Sequence, residues 1–444
     1  MAGYLLLLLI AFAVGSIIWT VAVWKWHPFI SLLTACFIVG LGSGMPLLTV
    51  IQAINNGFGQ ILIYIGLVVV IGSIIGLILE RSGAAQKISE LILSLLGQNR
   101  QVLAMTLIGA VVSVPVFCDS GFIILSGLND TLARKTSFRK GQLTLALATG
   151  LYTTHTLIPP TPGPMAAAGN LGAADYLGWI ILLGVIVSVP VLLVAWRLSL
   201  WKGKALETTI HDTQVVVAKQ LPKTVPSLLP ILIPIGLIAL GTITKFTGYS
   251  SNFAHLLIVL GDPVVALLLG LLAAFFLLPK WDKLHLQDWT GEAIRIAGPI
   301  LIITGAGGAF GALLKATPLQ SYLADWLNGQ DISGTGILII GFAIAALLKT
   351  AQGSSTNALV ITSGLLAPVL SILGVDSPTE LALIVLSLGG GAMCVSHSND
   401  SYFWVVSQFS GIKMEDAYRS FTIITLVQGL TVLLMTLLLH LLMV

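Results

Sequence analysis

Charge is what this sequence has least of: 9% of its 444 residues are Asp, Glu, Lys or Arg, where an ordinary soluble domain carries roughly 25%. So little charge excludes a surface solvated by water over most of its area. Cysteine is also scarce. The three present, Cys36, Cys118 and Cys394, sit in apolar or motif segments, which argues against a disulfide scaffold and for reduced thiols. Long polar stretches are missing apart from Trp196 to Pro226, so no separate extramembrane domain is expected. The net charge of +3 says little about partners, and no nucleic-acid partner is expected. What is present is apolar: 56% of the chain, with a mean hydropathy of +1.00. Runs such as Tyr4 to Trp24, Ile61 to Leu79 and Leu256 to Leu278 reach the roughly 20 residues a helix needs to cross a bilayer. The first run lacks a basic leader and exceeds a signal-peptide core, so it reads as a retained span.

The chain also repeats itself. A shift of 235 residues lays His27-Pro28 on Asp262-Pro263, Gly72 on Gly307, Gly76 on Gly311 and Asp119-Ser120 on Ser354-Ser355. His155 falls near His397 after a short insertion. Internal duplication of this kind is a signature of transporters. Two apolar segments are interrupted near their middles by Pro115 to Gly121 and by Gln352 to Asn357. They read as re-entrant hairpins, because irregular backbone survives inside a membrane only where protein or a wet cavity satisfies it. Two more, carrying Thr153 to Thr156 and Ser396 to Ser401, read as broken helices.

The expected fold is therefore an all-α polytopic membrane protein of two inverted repeats. The first spans 1–197 with hairpin 101–134, a cytoplasmic linker covers 198–226, and the second spans 227–444 with hairpin 334–373. Each repeat has five crossings, at 3–24, 28–46, 61–79, 142–172 and 177–196, then 227–245, 256–279, 295–314, 380–411 and 420–443. An odd number turns the second repeat upside down. With both termini periplasmic, all of the 21 Lys and Arg except Lys245, Lys315 and Lys349 fall on the cytoplasmic side, as the positive-inside rule requires.

Ionisable residues at mid-membrane are costly and are functional candidates by default. Asp119, His155, Lys349, His397 and Asp400 qualify, and the hairpin tips and helix breaks are expected to bring them to one point. There, half-helix N-termini offer N–H groups to an anion, and Ser120, Thr154, Thr161, Ser354, Ser355, Thr356, Asn357 and Asn399 add hydroxyls and amides. A small carboxylate is the natural ligand, with Asp119, His155 and Asp400 as candidates for proton coupling. Sodium is the alternative ion, caged by Ser354 to Asn357 and backbone carbonyls; no other cofactor and no metal is expected. Plainer roles exist for several of these groups. Asp119 could merely cap a helix, His155 could be a packed histidine, and Lys349 is expected to snorkel to an interface. His27 and His440 sit near helix ends and read as interfacial, and Gly72, Gly76, Gly307 and Gly311 as helix-packing positions. An intramembrane hydrolase built on Gly353-Ser-Ser with a histidine, an Asp119–Asp400 aspartyl pair, and a channel are remoter readings, so the chain is not expected to be an enzyme.

Taken together, His27-Pro-Phe-Ile30, Val116-Phe-Cys-Asp-Ser-Gly-Phe122, Thr154-His-Thr-Leu-Ile-Pro-Pro-Thr-Pro-Gly-Pro164, Gly353-Ser-Ser-Thr356 and Ser396-His-Ser-Asn-Asp-Ser401 with Phe403-Trp404 resemble the gluconate permease family over nearly the whole chain. The resemblance implies a proton symporter for gluconate or related hydroxy acids in a bacterial inner membrane. It also implies the homodimer and elevator motion of the wider ion-transporter superfamily. The sequence departs from the family pattern at Asp119, where members carry a nearby Glu, and at Thr161, where they carry His. A different hydroxy acid, or an amino acid such as serine, is the alternative substrate.

Overall fold

The computed structural model describes residues 3–206, 208, 221–247, 251–279, 284–317, 334–398 and 400–444, and every regular element among them is helical. The first half comprises α1 (Gly3–Ala22), α2 (Pro28–Gly42), α3 (Leu47–Arg81), α4 (Ala84–Leu96), α5 (Gln101–Val112), α6 (Cys118–Lys135), α7 (Lys140–Leu157), α8 (Pro162–Asn170) and α9 (Leu177–Lys202). The second comprises α10 (Thr224–Thr247), α11 (Asn252–Leu260), α12 (Pro263–Phe275), α13 (Trp289–Ala316), α14 (Gly334–Gln352) and α15 (Ser355–Leu373). It continues with α16 (Pro378–Met393), α17 (Ser401–Ser410), α18 (Met414–Ala417) and α19 (Ile423–Met443).

The residues that align at the 235-residue shift do the same local work. His27 caps α2 by accepting the Phe29 N–H at 3.3 Å, and Asp262 caps α12 by accepting those of Val264 and Val265 at 2.9 and 3.3 Å. A proline follows each cap at the first helical position, where its missing N–H costs nothing. Among the described residues five helices are long and apolar enough to cross a membrane, or seven if each bent pair counts as one span. Hairpin one is the pair α5–α6 and hairpin two the pair α14–α15. At 12 residues α5 is too short to span, whereas α14 and α15 have 19 each, about 28 Å of helix.

Three expectations about boundaries change. The span begun at Ile61 starts at Leu47 and bends by 46° between Ile63 and Gly66. Gln52, Asn55, Asn56 and Gln60 break the apolar pattern there without breaking the helix. Beyond it, α4 is an extra amphipathic helix, burying Ala84, Ala85 and Ile88 while Lys87 pairs with Glu90 at 2.9 Å. The polar run Thr153 to Thr156 is not a break at all, since α7 continues to Leu157 and stops at Ile158 before Pro159-Pro160. Proline forces that stop by excluding the preceding residue from helix. In the expected linker 198–226, α9 stays helical to Lys202 and Gln142 of α7 donates to the Leu200 carbonyl at 2.8 Å; residues 207 and 209–220 lie outside the described residues.

The broken helices form the core. Every residue of α7 and α8 is buried, as is α16 from Leu381 to Met393. A helix as polar as α7 tolerates this because Thr149, Thr153 and Thr156 donate to the carbonyls of Leu145, Thr149 and Tyr152. Each hairpin straddles the halves: α5 packs on α7 and α14 on α16, while α6 packs on α17 and α15 on α8. Gly76 on α3 faces hairpin one, its absent Cβ falling 2.2 Å from the Pro115 carbonyl, and Gly311 on α13 faces hairpin two at 3.1 Å from that of Gly364. Gly150 and Gly109 let α7 and α5 touch; a Cβ on Gly150 would lie 2.1 Å from the Thr106 carbonyl. Gly150→Val is therefore expected to destabilise the protein by about 3 kcal/mol through overpacking, read as a lower melting temperature and yield in detergent.

Candidate functional site

Four interruptions of helix lie near the C-terminal part of α7: the tip of hairpin one (113–117), the tip of hairpin two (353–354), the Pro-Pro turn (158–161) and the gap between α16 and α17, of which 394–398 and 400 are described. Gly353 turns hairpin two with φ +79°, a conformation glycine adopts without penalty. Its carbonyl then accepts from the Lys349 ammonium at 3.0 Å. The same ammonium meets the Asp400 carboxylate at 2.5 Å and lies 5.8 Å from the centre of the Tyr152 ring.

Lys349 thus corrects the expectation that it snorkels. It is 1% exposed and ties hairpin two to the gap in the second broken helix. Asp400 is fully engaged, also accepting the Tyr402 N–H at 3.0 Å as the cap of α17 and the Ser396 hydroxyl. Burying two charges is tolerable only when geometry and extra hydrogen bonds are this complete. Beside them, the Tyr152 hydroxyl donates to the Ala392 carbonyl at 3.4 Å and the Tyr402 hydroxyl donates to the Ala148 carbonyl at 2.8 Å.

Asp119 and His155 differ from that pair. Asp119 stands in the first turn of α6, but the helix has no side-chain cap and Asp119 Oδ1 is buried without a protein partner. Capping is therefore not its role. His155 is 6% exposed, its Nδ1 lacks a protein partner, and its ring lies 6.1 Å from that of Phe117 at the tip of hairpin one. Both groups feel the charges of Asp400 and Lys349. The first-turn N–H groups of α6 have no partner within the helix, so an unpaired acid, an imidazole and N–H donors adjoin one satisfied ion pair.

The remaining candidates divide. Ser354 caps α15 by accepting the Asn357 N–H at 3.2 Å, and Thr356 abuts Gly163 at the start of α8. His397 meets the Thr350 carbonyl at 3.0 Å through Nε2. Thr154 and Thr161 face backbone, donating to the carbonyls of Ala110 at 2.8 Å and Ile158 at 2.6 Å. Asn399 lies outside the described residues. Ser120 lies near Glu80, an acid that sequence reasoning overlooked because the apolar run ends at Leu79. Tyr152 and Ser396 were overlooked as well. Tyr152, one turn from His155 in a polar helix, carried a usable signal.

A separate cavity of 640 Å³ lies between α3, α13, α8 and α15, lined in part by Asn56, Gln60, Asn170, Lys315 and Asp376. Its volume suits a small ligand. Asn170 anchors hairpin two there, donating to the Val360 carbonyl at 3.0 Å and to the Ser363 hydroxyl at 2.9 Å. Among the described residues no three His, Cys, Asp or Glu side chains cluster as metal ligands.

The profile described as GntP family permease matches residues 5–442. The inner membrane permease YgbN of Escherichia coli is 31% identical, with 93% of each chain covered. A gluconate permease of Zymomonas mobilis is 30% identical over 98% of this chain and 97% of its own. The D-serine transporter DsdX of Escherichia coli is 29% identical over 94% of each. Among solved structures, the Alcanivorax borkumensis YdaH transporter superposes with a TM-score of 0.66 at 17% identity, over 94% of this chain and 98% of that one.

Proposed function

Since this chain belongs to the GntP family of permeases, we propose that it carries a small hydroxylated carboxylate, gluconate or a related acid, across the bacterial inner membrane together with protons. Two buried polar atoms without protein partners, Asp119 Oδ1 and His155 Nδ1, support this reading most directly. A carboxylate ligand would take hydrogen bonds from the N-termini of α6 and α15. Asp119 must be protonated before an anion can settle beside it, because two carboxylates at close range repel. That requirement couples substrate to proton. Lys349 and Asp400 cancel each other and leave Asp119 as the charge to be neutralised.

In this reading the two halves are inverted repeats, the hairpins are re-entrant, and both termini are periplasmic, as the distribution of Lys and Arg favours. Elevator motion of the hairpins with α7–α8 and α16–α17, in a homodimer, completes it. D-serine is the second substrate reading, favoured by the DsdX likeness and by an unpartnered acid, Asp119, beside helix N–H donors, which suits a short zwitterion. Proteoliposomes with an alkaline lumen are expected to accumulate gluconate, a shorter hydroxy acid or D-serine. Uptake of the transported substrate that ignores both pH and sodium gradients would sink the coupling. A reporter inserted within 209–220 is expected to be cytoplasmic.

A further inference from the structure

We infer that the Lys349 ammonium occupies a monovalent-cation site: the Gly353 carbonyl and the Asp400 carboxylate form an oxygen seat that the chain fills with its own cation in place of sodium. The inference rests on the carrier reading and decides between the two coupling ions.

The seat has the parts of an ion site. One tip carbonyl lies 3.0 Å from Nζ, one carboxylate oxygen lies 2.5 Å away, and the face of the Tyr152 ring closes a third side at 5.8 Å. These oxygens come from elements far apart in sequence, hairpin two and the cap of α17, so whatever cation sits between them joins the two. A lysine ammonium has three donors and no acceptor, and it cannot leave. The shift that relates the halves puts Val114 of hairpin one opposite Lys349, so only one hairpin carries this built-in cation. Beside the seat, which already holds Asp400, stand Asp119 and His155. One lysine against two acids leaves a single negative charge, which a proton neutralises without any metal ion.

Removing the ammonium while leaving its seat tests the inference. Lys349→Ala opens the seat to an ion, whereas Lys349→Met refills the space with an uncharged chain. In detergent, wild-type melting is expected to be the same in sodium, potassium or choline chloride. Lys349→Ala should melt lower in choline and recover by at least about 3 °C in roughly 150 mM sodium or potassium chloride, as binding to the folded state requires. Lys349→Met should not recover. If Lys349→Ala survives extraction only with an alkali cation, that also supports the site. Equal melting of Lys349→Ala in all three salts, its loss in all three, or wild-type uptake that requires sodium overturns the inference. Failure of the carrier reading would look different, as wild-type protein that melts normally but moves no substrate from the panel.

Discussion

Asp119→Asn is expected to leave the carrier folded while lowering proton-driven accumulation by about 100-fold, the scale of losing a proton-transferring group. The two halves of that expectation have separate causes. Stability should hold because Asp119 Oδ1 has no protein partner to lose and the amide is nearly the same size. Transport should fall because an amide cannot take up and release the proton. The measurement is initial uptake in proteoliposomes at several pH gradients, beside a melting curve of the same preparation. Substrate counterflow without a gradient should survive in the variant, since exchange needs no net proton movement. Unchanged accumulation would remove Asp119 from the coupling. A melting temperature that falls with activity would make it a structural residue.

Breaking the buried ion pair should have the largest effect on stability. Lys349→Met leaves Asp400, 4% exposed, holding a charge against only the Ser396 hydroxyl and the Tyr402 N–H. Asp400→Asn leaves the ammonium with no counter-charge in contact, held by the Gly353 carbonyl, an amide oxygen and the Tyr152 ring face. Either change is expected to cost about 3 to 5 kcal/mol, the penalty of an uncompensated buried charge. The double variant Lys349→Met with Asp400→Asn removes both charges and should recover most of that loss. Melting curves in sodium-free choline chloride measure the cycle without interference from added cations. Additive losses in the double variant would mean that the two residues act independently and that their 2.5 Å contact contributes little.

The candidate site was legible in outline. Asp119, His155, His397 and Asp400 stand out because an ionisable group in a long apolar run is rare and costly, a property visible without any contact. The turn between α14 and α15 was legible because Gly353 and the cap Ser354 are local signals. Lys349 was misjudged for a definite reason. A flexible side chain one turn from a hairpin tip has an interface within reach and a carboxylate 51 residues later within reach, and sequence distance does not rank them. Thr153 to Thr156 misled in a related way: threonine hydroxyls that bond back to their own helix look like a polar break until the Thr149 and Tyr152 carbonyls are seen to accept them.

What the sequence determined by itself is residence in a membrane, helical structure and most of the places where helices are interrupted. These follow from apolar run length, from proline and glycine, and from the demand that backbone be satisfied inside lipid, all of which act over a few residues. Only the tertiary structure decided that hairpin one lies on α17 and hairpin two on α8, that Lys349 belongs to Asp400, and that Asp119 and His155 are left over. Those outcomes depend on which faces of buried helices meet across hundreds of residues, and the sequence of one helix does not encode its neighbour.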